Sequence, residues 1–191
     1  MAKAARKAAS MAARVHPLEG RQAKGLGALV APAEPASRMS LRAPSTAIAA
    51  LSKALGVKLP QQPKTSAQSK GKTRAALWLG PDEWLVIDTG GDDPIAACAG
   101  VKALHSAVDI SHRNTAVTVS GANAAAALSA GCPQDLSLKA FPAGACSRTV
   151  FGKAEIVLWR MDDETFRVEC WRSFSDYVVT FLEDAVRDAA A

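Results

Sequence analysis

The chain has 191 residues, 49% of them hydrophobic and 21% charged, with a formal net charge of +5. That length suffices for one sizeable core or two small lobes, and no run approaches the roughly 18 apolar residues needed to cross a bilayer. The charge is confined to one end: residues 1–30 carry Lys3, Arg6, Lys7, Arg14, Arg21 and Lys24 against Glu19, leaving 17 basic and 17 acidic groups in the rest. A neutral body with a basic tail, without interleaved basic and aromatic residues, lacks the footprint of a nucleic-acid binder.

Residues 1–36 read as a basic, Ala-rich tail and loop, partly disordered, ending in "APAEPAS". "MAKAARKAASMAAR" lacks the apolar heart of a secretory signal and is better read as a frayed tail than as a helical presequence. The body is expected at 37–189, with sub-lobes at 37–105 and 106–189. "SRMSLRA" (37–43) is a strand. "STAIAALSKALG" is a helix, with Ser45 as N-cap and Gly56 as its stop. Residues 60–73 form a polar, flexible loop.

"AALWLGPDEWLVID" (75–88) reads as a β-hairpin, and "DDPIAACAGVKAL" as a short helix. "AVDI" and "TAVTVSG" are strands, and "NAAAALSAG" is a helix running from about Asn123 to Gly131. "SRTVFGKAEIVLWR" and "TFRVECW" supply three more strands. The last stretch, "SFSDYVVTFLEDAVRD", repeats its apolar residues at helical spacing, with Ser173 and Asp176 placed as a capping box. The order strand, Ala-rich helix, hairpin, helix occurs twice. The expected fold is therefore α+β: two related halves with helices packed on mainly antiparallel sheet.

The motifs yield little chemistry. Gly71-Lys72-Thr73 has Ser66 where a P-loop needs its first glycine, and "GLG" at 25–27 lacks a βαβ frame. Cys98, Cys132, Cys146 and Cys170 contain no CxxC and read as buried thiols of a cytoplasmic protein. "MDDE" (161–164) reads as a solvated turn. Asp109, Ser111 and His112 lie within four positions, but on a strand Asp109 and Ser111 share one face while His112 points with Val108 and Ile110 toward the core. A Ser–His relay is poor there, so a hydrolase ranks last. Metal ligation by His105, Asp109 and His112 needs a helix that β-branched Val108 and Ile110 oppose. The cluster is expected to hydrogen-bond backbone at a strand end. Trp171 and Arg172 are interface candidates, as residue types enriched at hot spots. Trp84 and the Gly80–Glu83 turn are further guesses.

Six ordered blocks, "LWLGPDEWLVI", "DISHRNTAVTVSG", "GCPQDL", "AFPAGACSRT", "LWR" and "WRSFSDYV", are similar to the gamma subunits of heterotetrameric sarcosine oxidases, over about residues 37–187. The block with Asp109, Ser111, His112, Arg113 and Gly121 also resembles the folate-binding domain of aminomethyltransferases, the glycine-cleavage T-proteins. The resemblance implies a non-catalytic subunit with no cofactor, metal or catalytic residue of its own. Its implied partners are alpha, beta and delta subunits. FAD, FMN, NAD and tetrahydrofolate would sit on the larger subunits and zinc on the smallest. The complex would demethylate sarcosine to glycine, with hydrogen peroxide and 5,10-methylenetetrahydrofolate or formaldehyde as co-products. The similarity around Asp109, Ser111, His112 and Arg113 makes a stand-alone folate-binding or aminomethyltransferase-like module the alternative. The chain lacks the later domain of a full aminomethyltransferase, which counts against independent folate turnover.

Overall fold

The computed structural model describes residues 17–189. Within them the chain forms eleven strands and four α-helices: β1 (Ala23–Gly25), β2 (Ala28–Pro32), β3 (Ser37–Arg42), α1 (Ile48–Leu55), β4 (Ser66–Gln68), β5 (Arg74–Gly80), β6 (Glu83–Asp88), α2 (Pro94–Cys98), β7 (Ser106–Asp109), β8 (Asn114–Ser120), α3 (Ala124–Ser129), β9 (Cys146–Phe151), β10 (Ala154–Arg160), β11 (Thr165–Trp171) and α4 (Ser175–Asp188). One sheet runs β1-β2-β8-β11-β10-β9 and the other β4-β5-β6-β3-β7. All pairings are antiparallel.

The two halves repeat one plan. In each, a strand is followed by a helix, three strands and a second helix, and the strands assemble in the order second, third, fourth, first: β4-β5-β6-β3 and β9-β10-β11-β8. The strand that precedes each unit then crosses over. β2 leads into β3 but pairs with β8 (Val30 opposite Val119), whereas β7 leads into β8 but pairs with β3 (Leu41 opposite Ala107). The halves therefore interlock through exchanged strands.

Each sheet buries both faces. Met39, Leu41, Trp84 and Val86 pack with Leu51 and Leu55 of α1. Val119, Leu158, Phe166 and Val168 pack with Leu128 of α3 and Val178 and Leu182 of α4. Between the sheets, Leu77, Leu85 and Ile87 meet Cys146, Val157 and Trp159. The order of layers is helix, sheet, sheet, helix, with three apolar seams. Apolar runs such as "IVLW" follow from this double coverage.

Several expectations need correction. Residues 23–32 are not loop: β1 and β2 form a hairpin that extends the second half's sheet. The tail expected over residues 1–16 lies outside the described residues. The boundary at 105/106 fails because β7 belongs to the first half's sheet. The polar loop 60–73 contains β4, whose partner β5 supplies the backbone hydrogen bonds that composition could not reveal. α2 is only Pro94–Cys98, capped by Asp93 Oδ1 accepting from Ile95 N at 2.8 Å. No side chain caps α1 or α4; each is entered through a 3-10 turn, Ser45–Ala47 and Arg172–Phe174. The expected capping box is absent because Ser173 lies inside the 3-10 turn and Phe174 takes the N-cap position of α4, while Asp176 accepts from Arg21 Nη1 at 2.7 Å. Gly56 does stop α1, at φ 65°.

Candidate functional site: a buried charged seam and an exposed aromatic corner

The Asp109–Ser111 cluster sits where β7 ends. Ser111 Oγ donates to Asp109 Oδ1 at 2.5 Å, Ser111 N donates to the same oxygen at 2.8 Å, and Arg38 N donates to Ser111 Oγ at 2.8 Å. Ile110 N completes the join by donating to Arg38 O at 2.9 Å. This short loop ties the start of β3 to the end of β7. His112 does not point to the core: residues 111–113 form a turn and its ring is exposed. Val108, expected inside, is 52% exposed on the edge strand, and only Ile110 is buried. Alternation fails because the strand ends at Asp109. Serine and aspartate are thus in contact, with the histidine on a turn beyond them.

Arg113 carries its neighbours toward a different surface. Its guanidinium lies 5.4 Å from the centroid of the Trp171 ring, and its carbonyl accepts from Arg172 N at 2.7 Å. Cations attract an indole face at this range. Trp171, Phe174 and Tyr177 are each just over 40% exposed, and the Trp171 and Phe174 centroids are 6.2 Å apart. Lys153 N donates to Tyr177 Oη at 3.1 Å. The result is an exposed aromatic corner flanked by Arg113 and Arg172, at the junction of β11 and α4. Trp84, by contrast, is wholly buried and donates from Nε1 to Pro60 O at 2.7 Å. It is a core residue, because its side of the hairpin faces α1. Glu83 in the same hairpin pairs with Arg148 of β9 and with Arg42. Its carboxyl is held below the usual glutamate range chiefly by the Arg148 hydrogen bond, against the opposing effect of burial.

Gly121 has φ 109°, and a Cβ there would stand 2.4 Å from Gly27 O. Only glycine allows β8 to turn into α3 while the β1–β2 hairpin passes so close. The exposed "MDDE" turn is braced by Glu164 N donating to Asp162 Oδ1 at 3.0 Å. The four cysteines are buried free thiols, and burial pushes Cys146 and Cys170 up to about 12.

The seam between the sheets holds a charged network that reading the sequence did not single out. Glu169 of β11 accepts from Arg38 Nε at 2.5 Å and from Arg167 Nε at 2.8 Å, and all three side chains are at most 5% exposed. Arg167 Nη2 and Trp159 Nε1 are buried without a hydrogen-bond partner. Trp159 and Arg167 are directly opposed across β10 and β11, and both line a cavity of about 380 Å³. The sequence signal was the alternation of Arg167 and Glu169 on the face opposite Phe166 and Val168, which suggests solvent until a second sheet covers it.

A duplicated helix–sheet–sheet–helix sandwich with exchanged strands defines the class. The fold matches glycine cleavage system aminomethyltransferase T from Bartonella henselae with TM-score 0.62, 11% identity, and coverage of 87% of this chain and 50% of that one. A second match is far more specific. A chain of the heterotetrameric sarcosine oxidase from Corynebacterium sp. U-96, in complex with pyrrole 2-carboxylate, superposes with TM-score 0.84 and 27% identity, over 93% of this chain and 97% of that one. Residues 40–188 match the sarcosine oxidase gamma subunit family. Sarcosine oxidase gamma subunits from Corynebacterium sp. strain P-1 and from an Arthrobacter species are 34% and 33% identical. They cover 77% and 75% of this chain, and 73% and 71% of their own lengths are matched. The chain belongs to the sarcosine oxidase gamma subunit family. No helix among the described residues is long and apolar enough to cross a membrane.

Proposed function

We propose that the chain is a non-catalytic subunit of a heterotetrameric sarcosine oxidase, completing an assembly whose alpha, beta and delta subunits carry the chemistry. Those subunits would hold FAD, FMN, NAD and tetrahydrofolate, with zinc on the smallest, and the assembly would work in the cytoplasm. It would oxidise the N-methyl carbon of sarcosine, pass two electrons to oxygen as hydrogen peroxide, and release glycine. The one-carbon unit would leave as 5,10-methylenetetrahydrofolate or formaldehyde. The isolated chain would turn over no sarcosine. The observation that carries the reading is the likeness, over nearly its whole length, to a chain of a heterotetrameric sarcosine oxidase.

Docking would use the corner formed by Trp171, Phe174, Tyr177, Arg113 and Arg172. Rigid aromatic rings beside guanidinium groups supply apolar area together with charge-assisted hydrogen bonds to an acidic partner surface. Asp109 and Ser111 would serve as a brace, with Arg113 beside Trp171 at the start of β8 and Gly121 at its far end, where the β1–β2 hairpin passes. The test is to capture the tagged chain from its host grown on sarcosine and weigh the product by native mass spectrometry. A yellow complex with larger subunits, consuming oxygen on sarcosine addition, is expected; a colourless chain alone overturns the reading.

A stand-alone folate-binding module is the second reading, favoured by the aminomethyltransferase fold. The chain covers only half of that relative, which weakens it. Saturable tetrahydrofolate binding by the purified chain would support it.

A further inference from the structure

The seam cavity combines features that a purely structural core does not need. Trp159 and Arg167 are cross-strand partners, so their side chains stand side by side on one face of the sheet. Each presents a buried N–H with no acceptor, a state that costs the full desolvation of the donor when left unsatisfied. The charge is also unbalanced. Two guanidiniums, Arg38 and Arg167, share the one carboxylate of Glu169, and guanidinium groups do not give up their proton in proteins. The buried network therefore carries one net positive charge. The other charged side chains lining the cavity, Glu34 and Lys72, are exposed and opposite in sign.

We propose that this cavity binds a small organic carboxylate, whose oxygens accept from Arg167 Nη2 and Trp159 Nε1 while its apolar body lies against Ile87 and Met161. An anion balances the network, and a carboxylate presents two acceptor oxygens to two neighbouring donors. The volume of about 380 Å³ suits a small molecule, since ligand pockets span about 300–1,000 Å³. Both nitrogens have almost no solvent-accessible area, so the carboxylate reaches them as the Trp159 and Arg167 side chains, which line the cavity, turn their N–H groups toward it. The apolar lining from Ala75, Ile87, Trp159 and Met161 favours an acid with a hydrocarbon or aromatic body over a bare inorganic anion. This site stands on side chains of this chain alone and is independent of the subunit reading.

The experiment is a titration of the ¹⁵N-labelled full chain with sodium benzoate, following the four indole N–H resonances, with Trp159→Phe identifying the one that matters. A saturable shift of the Trp159 resonance is expected, half complete at about 10 mM benzoate or below. Benzyl alcohol, similar in shape but uncharged, should bind at least about tenfold more weakly, a difference of about 1.4 kcal/mol. Arg167→Lys keeps the positive charge and loses the forked donor set, so benzoate binding by calorimetry should fall about tenfold with the fold retained. A Trp159 resonance unmoved by benzoate overturns the proposal. So does an equal response to benzyl alcohol, which would mark a merely apolar void.

Discussion

Arg38 and Glu169 lie 131 residues apart in the chain and meet at 2.5 Å between the two sheets. Arg38 belongs to the first strand of one half and Glu169 to the last strand of the other, so the contact joins the repeated units where no solvent screens it. Removing one partner from a buried pair leaves a bare charge, which costs more than the pair itself contributes. Glu169→Leu strands both guanidiniums and should destabilise the chain by about 3–5 kcal/mol. The triple change Arg38→Met, Arg167→Met, Glu169→Leu should cost less than that single change. Urea denaturation of the three proteins checks the order.

Trp84 and Trp171 differ in environment, and their alanine variants should fail in different ways. Trp84→Ala empties a wholly buried site and should cost about 3–5 kcal/mol of stability. Trp171→Ala loses mainly the Arg113 contact, about 1 kcal/mol or less. On the docking proposal it should nonetheless weaken recovery of the assembly by about 30-fold, the scale of a 2 kcal/mol hot spot. Thermal melts of the chain and co-purification yields separate the two effects.

Glu83 ties the β5–β6 hairpin to β9 through Arg148. A carboxyl whose folded value lies below its unfolded one contributes stability that is present above the unfolded value. That contribution fades as pH falls through the folded value. Wild type should therefore exceed Arg148→Met in stability at pH 7. The gap should narrow as pH drops below the ordinary glutamate range of about 4.3. Denaturant midpoints of both proteins at several pH values between neutral and acid test this sign.

Gly25 sits against α4 so closely that an added Cβ would stand 2.0 Å from Val186 O. Gly25→Ala should push the β1–β2 hairpin off the helix and cost about 1–3 kcal/mol. Trypsin should then cut faster after Arg21 and Lys24, with α4 itself retained.

Most of the fold was legible in local pattern. Alternation placed β8, and "GPDE" between apolar runs placed the β5–β6 hairpin. The spacing from Tyr177 to Ala185 placed α4. The strand exchange was not legible, because nothing in "ALVAP" says that β2 crosses to β8 rather than pairing with its neighbour β3. The site divided the same way. Trp171 and Arg172 are exposed where the chain passes from strand to helix, a position that sequence reading could find. Trp84 was misjudged because both faces of its hairpin are covered, and only the three-dimensional layering reveals it. His112 was misjudged because the strand ends three residues earlier than alternation assumed. Arg38, Arg167 and Glu169 were missed because charged residues on alternating positions ordinarily mark a solvated face.

On the proposed function this chain supports a sarcosine oxidase assembly without supplying its catalytic groups. The most direct measurement compares sarcosine-dependent oxygen uptake by the assembly containing the wild-type chain with that containing Ser111→Ala, His112→Ala. An assembly of unchanged mass and oxygen uptake within about twofold is expected, with the chain's own stability lowered by about 1 kcal/mol for the lost Ser111 hydrogen bonds. An intact assembly that binds its flavins but has lost turnover would contradict it.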